Sequence, residues 1–201
     1  MSQARVIGIT GGIGSGKTTL SNLLRAEGFE VYDSDLEAKR LQNEHPAIVG
    51  QLSDLFGSSI YQNSQLNRPE VARRVFENKE LLGKLNKIVH PFVKQHFEDW
   101  VKTKSEHHEL LFLESAILFE SGFNSLVDKV IVVTASVEER IKRVVKRDGI
   151  CAERVRTRMA NQIPEAEKIA KADFVIHTDD DNPLSEKISK ILIQLSYPPT
   201  P

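Results

Sequence analysis

A glycine-rich segment near the start of the chain places the strongest restriction on its fold. The segment, residues 11–18, reads GGIGSGKT and follows a short β-branched apolar run from Arg5 to Thr10. After Lys17, leucines at positions 20, 23 and 24 recur at helical spacing until Gly28. This order predicts a buried strand, a glycine turn and a helix that ends at a glycine.

The glycines of this turn suit the binding of a polyphosphate. Where side chains are missing, backbone N–H groups can approach phosphate oxygens closely at the start of a helix. The spacing matches the pattern G-x-x-x-x-G-K-[ST] of the P-loop, in which Lys17 reaches the β- and γ-phosphates and the Thr18 hydroxyl binds Mg²⁺. The predicted nucleotide-binding residues here are Gly12, Ile13, Gly14, Ser15, Gly16, Lys17, Thr18 and Thr19.

Two other interpretations of this segment fit its surroundings less well. A glycine turn that only connects a strand to a helix is the simpler one, but the flanking strand and helix are the context that phosphate binding requires. A dinucleotide-binding turn would need a third glycine where Lys17 stands. The segment therefore favours nucleoside triphosphate binding.

Acidic residues follow two further predicted strands. Asp33 and Asp35 come after a buried run from Phe29 to Tyr32 and precede a helical pattern, and Glu114 ends the run Leu110 to Leu113. Aspartates in this position are often turn formers or helix caps. At the carboxyl edge of a sheet beside a P-loop, however, they can orient a hydroxyl and accept its proton, and Glu114 would bind Mg²⁺.

The strand pattern returns at Leu110 to Leu113, Val130 to Thr134 and Phe174 to Ile176, each time followed by helix-like sequence. This alternation predicts an α/β fold, a P-loop kinase core with a parallel sheet flanked by helices. Residues 1–44 and 106–201 would form that core. Residues 45–105, where no strand is predicted, would form a helical insertion, and the final Tyr-Pro-Pro-Thr-Pro would have no regular structure.

Three helices are predicted in the insertion. The first begins at Pro46 and stops at Gly57, and the second starts near Pro69. The third is a long apolar pattern between residues 81 and 101 that Pro91 should kink or split. His90 precedes that proline and is therefore expected to leave helical geometry. A structural role and a functional role for His90 are equally favoured.

One stretch of the chain is strongly basic. Between Glu139 and Arg158 there are eight Lys or Arg and three acidic residues. Arg140, Arg143 and Arg147 recur at three- and four-residue spacing, so a helix would carry them on one face. This face is either a solvated surface or a phosphate-facing lid spanning about residues 139–162, and the second interpretation is favoured.

Composition argues against several classes of partner. Lys and Arg total 27 against 28 Asp and Glu, which gives no overall attraction to nucleic acid or to an anionic membrane. The single cysteine, Cys151, allows no internal disulfide. With no apolar run of about 20 residues and no cleavable leader pattern, a cytoplasmic location is expected.

The order of motifs is more specific than any one of them. The chain reads IGITGGIGSGKTT, then VYDSD, then a helical segment ending in IVHPFV, then ILFESGF, VIVVTAS and finally R-x-x-R-x-x-x-R. From Val6 to about Ile176 this order resembles the dephospho-CoA kinase family. Two segments differ from the usual family pattern. Residues 116–120 read AILFE where the family usually has Pro-Leu-Leu-Phe-Glu, and residues 177–179 read HTD where the family often has Asn-x-Gly.

The resemblance implies an enzyme that uses ATP and Mg²⁺ to phosphorylate the ribose 3′-hydroxyl of dephospho-CoA, giving coenzyme A. It implies Asp35 as the base, with Asp33 in support and Lys17 and Arg140 as further catalytic residues. The insertion would then bind dephospho-CoA near Arg68, His90 and Pro91. The lid would place Arg143 and Arg147 on the nucleotide phosphates.

Two alternative functions stay open. The P-loop core by itself does not name the acceptor, so another P-loop kinase acting on a nucleotide or a small alcohol is the first alternative. A GTPase-type switch is the second, and it would need an Asn-Lys-x-Asp segment to recognise guanine. Residues 86–89 read NKIV and lack the aspartate, which disfavours it.

Overall fold

The computed structural model describes residues 4–76 and 78–196. These residues form two compact units. The first unit joins the chain up to Tyr32 with the chain from Lys104 onward, and the second runs from Asp33 to Thr103. The predicted tail of prolines, residues 197–201, lies outside the described residues. Within the described chain, none of the helices combines the length and the apolar character that a membrane crossing requires.

A five-stranded sheet forms the centre of the first unit. Its strands are β1 (Arg5–Thr10), β2 (Glu30–Asp33), β5 (Leu110–Glu114), β6 (Lys129–Thr134) and β7 (Phe174–His177), and their order across the sheet is β2-β5-β1-β6-β7. The pairs β1–β5, β1–β6 and β6–β7 are parallel. The predicted parallel α/β core is therefore confirmed.

Strand β1 lies at the point where this strand order reverses, with β5 on one side and β6 on the other. Ligands of open parallel sheets bind at the carboxyl ends of the strands at such a point. The register pairs Ile9 with Glu114, and Thr134 with His177. The loop after Thr10, the carboxylate of Glu114 and the turn after His177 consequently lie along one edge of the sheet.

Helices of the first unit are α1 (Lys17–Ala26), α6 (Val137–Asp148), α7 (Ala152–Ala160), α8 (Glu165–Ala170) and α9 (Leu184–Ser196). The main core lies between one face of the sheet and helices α1 and α9, where Ile7, Phe112, Leu24 and Ile188 are fully buried. A smaller apolar cluster joins α6 and α7 through Ile141, Val144 and Val155, and Ile13 packs against it. The leucines after Lys17 thus pack against the sheet as their helical spacing predicts.

The second unit is mainly helical. It contains α2 (Ser34–Glu44), α3 (Pro46–Phe56), α4 (Arg68–Phe76) and most of α5 (Lys79–Lys104). Helix α3 begins at Pro46 and is followed by Gly57 with a φ of 88°, as expected for a glycine stop. The unit begins before residue 45, where the insertion was predicted to start. Within it, α2 is tied to the rest by hydrogen bonds from Tyr61 and Arg68 to Gln42.

Two predictions for this region are wrong, and a third is narrowed. The region predicted to lack strands contains two of them, β3 (Tyr61–Gln62) and β4 (Gln65–Leu66), which form an antiparallel hairpin. Its turn residues Asn63 and Ser64 both have positive φ, as type I′ turns require. His90 stays within helix α5 and does not leave helical geometry. Of the two outcomes predicted for Pro91, the helix is not split, which leaves the kink. A single proline in a long helix removes one hydrogen bond, which the surrounding turns of this helix tolerate.

Candidate active site

The glycine-rich loop connects β1 to α1 and packs against other backbone at two points. A Cβ atom at Gly11 would lie 2.0 Å from the carbonyl oxygen of Val133, and one at Gly14 would lie 2.5 Å from that of Arg140. Both glycines also have positive φ, 152° and 80°. At these two positions only glycine fits both the available space and the backbone dihedral angle. The loop conformation therefore requires glycine there, in addition to any requirement that a ligand approaches closely.

Lys17 is the first residue of α1, and its side chain returns to the loop. The ammonium Nζ donates hydrogen bonds to the carbonyl oxygens of Gly11, at 3.0 Å, and Gly12, at 3.2 Å. The positive charge is therefore held at the loop that the phosphate pattern identifies. A cation held there offsets the charge of bound phosphate oxygens.

The two residues predicted to bind Mg²⁺ lie next to one another. The Thr18 hydroxyl donates a hydrogen bond of 2.9 Å to Oε1 of Glu114, whose side chain arrives from the end of β5. Glu114 is only 5% exposed, and its second oxygen is buried with no hydrogen-bond partner in the part of the chain that the structure describes. A buried carboxylate oxygen without a partner costs free energy unless a cation or water satisfies it. The pair therefore fits a divalent cation.

The three arginines of helix α6 have different surroundings. Arg140 is 5% exposed and donates to Oε2 of Glu165, at 2.6 Å, and to the carbonyl oxygen of Ile13, at 3.2 Å. A Cβ at Gly12 would lie 2.5 Å from its guanidinium. The basic helix and the phosphate loop, which were predicted separately, thus lie against each other at Arg140.

Arg143 also reaches the edge of the sheet. It donates to the Thr178 hydroxyl and to the Thr178 carbonyl oxygen, both at 2.8 Å, and to Glu139 at 3.0 Å. The Thr178 hydroxyl in turn donates to the carbonyl oxygen of Ser15, at 2.8 Å. Arg147, by contrast, is a surface residue whose guanidinium pairs with Asp148 at 2.7 Å. Hydrogen bonding to that carboxylate raises the pKa of Arg147.

Asp33 and Asp35 occupy the start of α2 and differ in their roles there. Asp33 is the N-cap, and its Oδ1 accepts a 2.9 Å hydrogen bond from the N–H of Leu36. Asp35 lies in the first helical turn and is exposed. Asp33 is therefore a helix cap, which was one of the two interpretations of this residue.

The residues predicted to contact dephospho-CoA all lie in the second unit. Arg68 opens α4, and its guanidinium donates to the carbonyl oxygen of Lys39, at 2.7 Å, and to the side-chain oxygen of Gln42. Burial lowers the pKa of Arg68. His90 is half-buried in α5, and burial lowers its pKa below the usual value, so its imidazole is neutral at pH 7. Pro91 is exposed in the same helix.

Several residues that support the loop and its arginines were not predicted as site residues from the sequence. Glu165 pairs with Arg140, Thr178 connects Arg143 to the loop, and Gln162 accepts from the N–H of Ile13 at 2.9 Å. Lys168 is completely buried and pairs with Glu120 at 3.3 Å. The motif spacing around them is not distinctive, and only their packing identifies them.

P-loop kinases hold a nucleoside triphosphate with a glycine loop that follows the central strand of a parallel sheet. A lysine at the loop and a carboxylate on the neighbouring strand complete the arrangement. The fold and the loop place this chain in that class. Within the class, the model of the dephospho-CoA kinase family matches residues 5–183. The chain belongs to the dephospho-CoA kinase family.

Individual relatives agree with this assignment. A dephospho-CoA kinase of Bacteroides fragilis (strain YCH46) is 40% identical over 92% of this chain and 90% of the relative. One of Porphyromonas gingivalis is 47% identical over 83% of this chain and 81% of the relative. The solved structure of the dephospho-CoA kinase from Campylobacter jejuni aligns with a TM-score of 0.70 and 25% identity, covering 95% of this chain and 96% of that one.

Proposed function

We propose that this chain transfers the γ-phosphoryl group of ATP to the ribose 3′-hydroxyl of dephospho-CoA. In this reaction the 3′-oxygen forms a bond to the γ-phosphorus while the bond to the β,γ-bridging oxygen breaks. The hydroxyl proton is lost, and coenzyme A and ADP are the products. The observation that carries the proposal is the loop of residues 11–18 with Lys17 bonded to it, in a chain of this family.

The loop and the arginines beside it would bind the ATP phosphates. Phosphoryl transfer passes through a loose transition state with charge spread over the phosphoryl oxygens, so fixed cations and N–H donors contribute most of the catalysis. Lys17 supplies one such cation. Arg140 and Arg143 supply two more, and both hydrogen-bond to carbonyl oxygens of the loop, those of Ile13 and Gly14. Arg147 would join them on the phosphates when the lid closes.

Thr18 and Glu114 would hold Mg²⁺ together with the phosphates. Their oxygens are a hydroxyl and a carboxylate, the hard ligands that this cation prefers. The bound cation would neutralise charge on the β- and γ-phosphates. Oε2 of Glu114 is buried without a hydrogen-bond partner among the described residues, which is otherwise unfavourable and supports this assignment.

Removal of the Glu114 carboxylate is expected to weaken this site. Glu114→Gln keeps the shape of the side chain but loses the charge, so the Mg²⁺ concentration for half-maximal activity should rise about tenfold or more. This concentration is measured by titrating Mg²⁺ while following enzyme activity and the binding of a fluorescent ATP analogue. Glu109→Gln, which changes an exposed acid just before the other end of the same strand, is the matched control. Equal Mg²⁺ dependence in the Glu114 variant and the wild type would contradict the assignment.

Asp35 is proposed to hold and deprotonate the acceptor hydroxyl. Asp33 already accepts a backbone hydrogen bond as the cap of α2, whereas Asp35 is exposed in the first turn. The helix dipole favours the negative charge of a carboxylate at the start of a helix. Asp33 would support Asp35 by fixing the beginning of the helix. Arg68, His90 and Pro91 are proposed to contact dephospho-CoA, by the family resemblance.

A coupled assay of ADP release tests the proposed acceptor. ADP should form from ATP when dephospho-CoA is added and should not form with coenzyme A, whose 3′-position is already phosphorylated. Mass spectrometry should show a single phosphoryl group added to dephospho-CoA. ADP release with shikimate or a nucleoside monophosphate, but not with dephospho-CoA, would favour another P-loop kinase activity instead.

Truncation of Arg143 is expected to slow turnover more than it weakens acceptor binding. A lid residue contributes mainly in the closed, reacting complex, so Arg143→Ala should lower kcat by about 10- to 100-fold and change the KM for dephospho-CoA little. Steady-state kinetics with each substrate varied gives both values. Arg154→Ala, an exposed arginine of α7, should behave as the wild type. An unchanged kcat with a raised KM for dephospho-CoA would exclude the lid role.

A further inference from the structure

Both backbone polar groups of Ile13 are held by side chains from the lid stretch. The N–H of Ile13 donates to Oε1 of Gln162 at 2.9 Å, and its carbonyl oxygen accepts from Nε of Arg140 at 3.2 Å. Arg140 and Gln162 lie at opposite ends of the predicted lid, residues 139–162. In addition, the Ile13 side chain packs against the apolar cluster of α6 and α7. One residue of the glycine-rich loop is thus fixed by three separate contacts.

Gln162 is itself held from its other side. Its Nε2 donates to the carbonyl oxygen of Ala116 at 3.1 Å, and the same oxygen accepts from Nζ of Lys168 at 3.2 Å. Lys168 is completely buried and pairs with Oε1 of Glu120 at 3.3 Å. That oxygen also accepts from the N–H of Ile163, the residue next to Gln162, at 3.1 Å. A closed network therefore sets the position of the Gln162 amide.

The side-chain amide is suited to this place because it is donor and acceptor at once. An oxygen is needed for Ile13 and an N–H for Ala116, and glutamine offers both in one planar group. The loop has four glycines, at positions 11, 12, 14 and 16, and glycines lose the most conformational freedom when a chain becomes ordered. A loop that is already fixed at Ile13 loses less freedom when it binds phosphate.

We infer that Gln162 is a positioning residue for the ATP phosphates, acting through the backbone of Ile13. It holds the loop in its binding conformation before the nucleotide arrives and connects the end of the lid to that loop. Its removal should weaken ATP binding selectively. This inference rests on the proposed use of the loop as the ATP site.

Three variants separate this role from a general loss of stability. Gln162→Met has similar length but makes neither hydrogen bond, whereas Gln162→Glu keeps the oxygen that accepts from Ile13. Asn161→Ala changes an exposed neighbour and is the control. Equilibrium binding of β,γ-methylene-ATP, steady-state KM values for both substrates, and hydrogen exchange at the Ile13 amide are measured for each. The binding and exchange experiments need no acceptor, so they remain informative if dephospho-CoA is not the substrate.

For Gln162→Met we expect a 3- to 10-fold loss of nucleotide affinity, which corresponds to one hydrogen bond. The KM for ATP should rise by the same factor while that for dephospho-CoA stays constant, and the Ile13 amide should exchange faster. Gln162→Glu keeps the oxygen that accepts from Ile13 and should restore most of the protection of that amide, but its negative charge opposes phosphate binding, so its nucleotide affinity is not expected to recover fully. The inference is overturned if Gln162→Met speeds the exchange without changing nucleotide affinity, or if the KM values for ATP and dephospho-CoA rise together.

Discussion

Lys17→Ala is expected to abolish phosphoryl transfer while leaving the fold intact. The ammonium group donates hydrogen bonds to the carbonyl oxygens of Gly11 and Gly12, in the loop where the proposed reaction would develop negative charge on the transferred group. A single cation that stabilises this transition state contributes on the order of 10³–10⁵ in rate, so kcat should fall by at least about 10³-fold. ADP release under saturating substrates measures the loss.

The fold should survive this substitution because Lys17 is only half-buried. Circular dichroism and the melting temperature of Lys17→Ala are therefore expected to match the wild type closely. Lys190→Ala removes one charge from an exposed position of α9 and should keep full activity. If Lys17→Ala retained half of the wild-type kcat, the loop would not be the site of transfer.

Asp35→Asn is expected to lower kcat by about 10²–10⁴-fold, the usual contribution of general-base assistance. The variant keeps the shape of the side chain but loses the charge that is proposed to orient and deprotonate the 3′-hydroxyl. Because a loose transition state requires little activation of the nucleophile, the loss should lie toward the lower end of this range and should mainly reflect positioning. ATP binding should persist, since the loop and Thr18 are unchanged, and nucleotide titration tests this.

Asp33→Asn is the matched comparison for the base. Asparagine caps helices about as well as aspartate, so this variant keeps the hydrogen bond to Leu36 and changes only the charge. We expect a smaller loss of kcat than for Asp35→Asn, with little change in melting temperature. If Asp33→Asn were the more damaging variant and Asp35→Asn turned over near the wild-type rate, the two roles would have to be exchanged.

Much of the fold was predictable because its signals are local. The strand from Arg5 to Thr10 is a continuous apolar run, the leucines after Lys17 have helical spacing, and Pro46 and Gly57 bound helix α3. Each of these features depends on residues within one or two turns of the chain. The hairpin at residues 61–66 was missed because strands of two residues are too short to show alternation.

The loop at residues 11–18 was also predictable, because its chemistry and its conformation make the same demand. Phosphate binding requires backbone N–H groups without side chains, and the close approach of Val133 to Gly11 requires glycine as well. The neighbouring position of Thr18 and Glu114 followed from parallel pairing, which puts strand ends at one edge. The sequence by itself therefore determined the class of the protein and the position of its phosphate loop.

The support of that loop was decided only by the tertiary structure. Gln162 and Ile13 are separated by 149 positions in the chain, and Thr178 and Ser15 by 163. The completely buried Lys168 looks in the sequence like any helical surface lysine. Arg140, Arg143 and Arg147 have the spacing of one helical face, yet the first is buried against Glu165 and the last pairs with Asp148 at the surface. Helical periodicity gives the direction in which a side chain points, whereas burial and the choice of partner depend on what the rest of the chain packs against it.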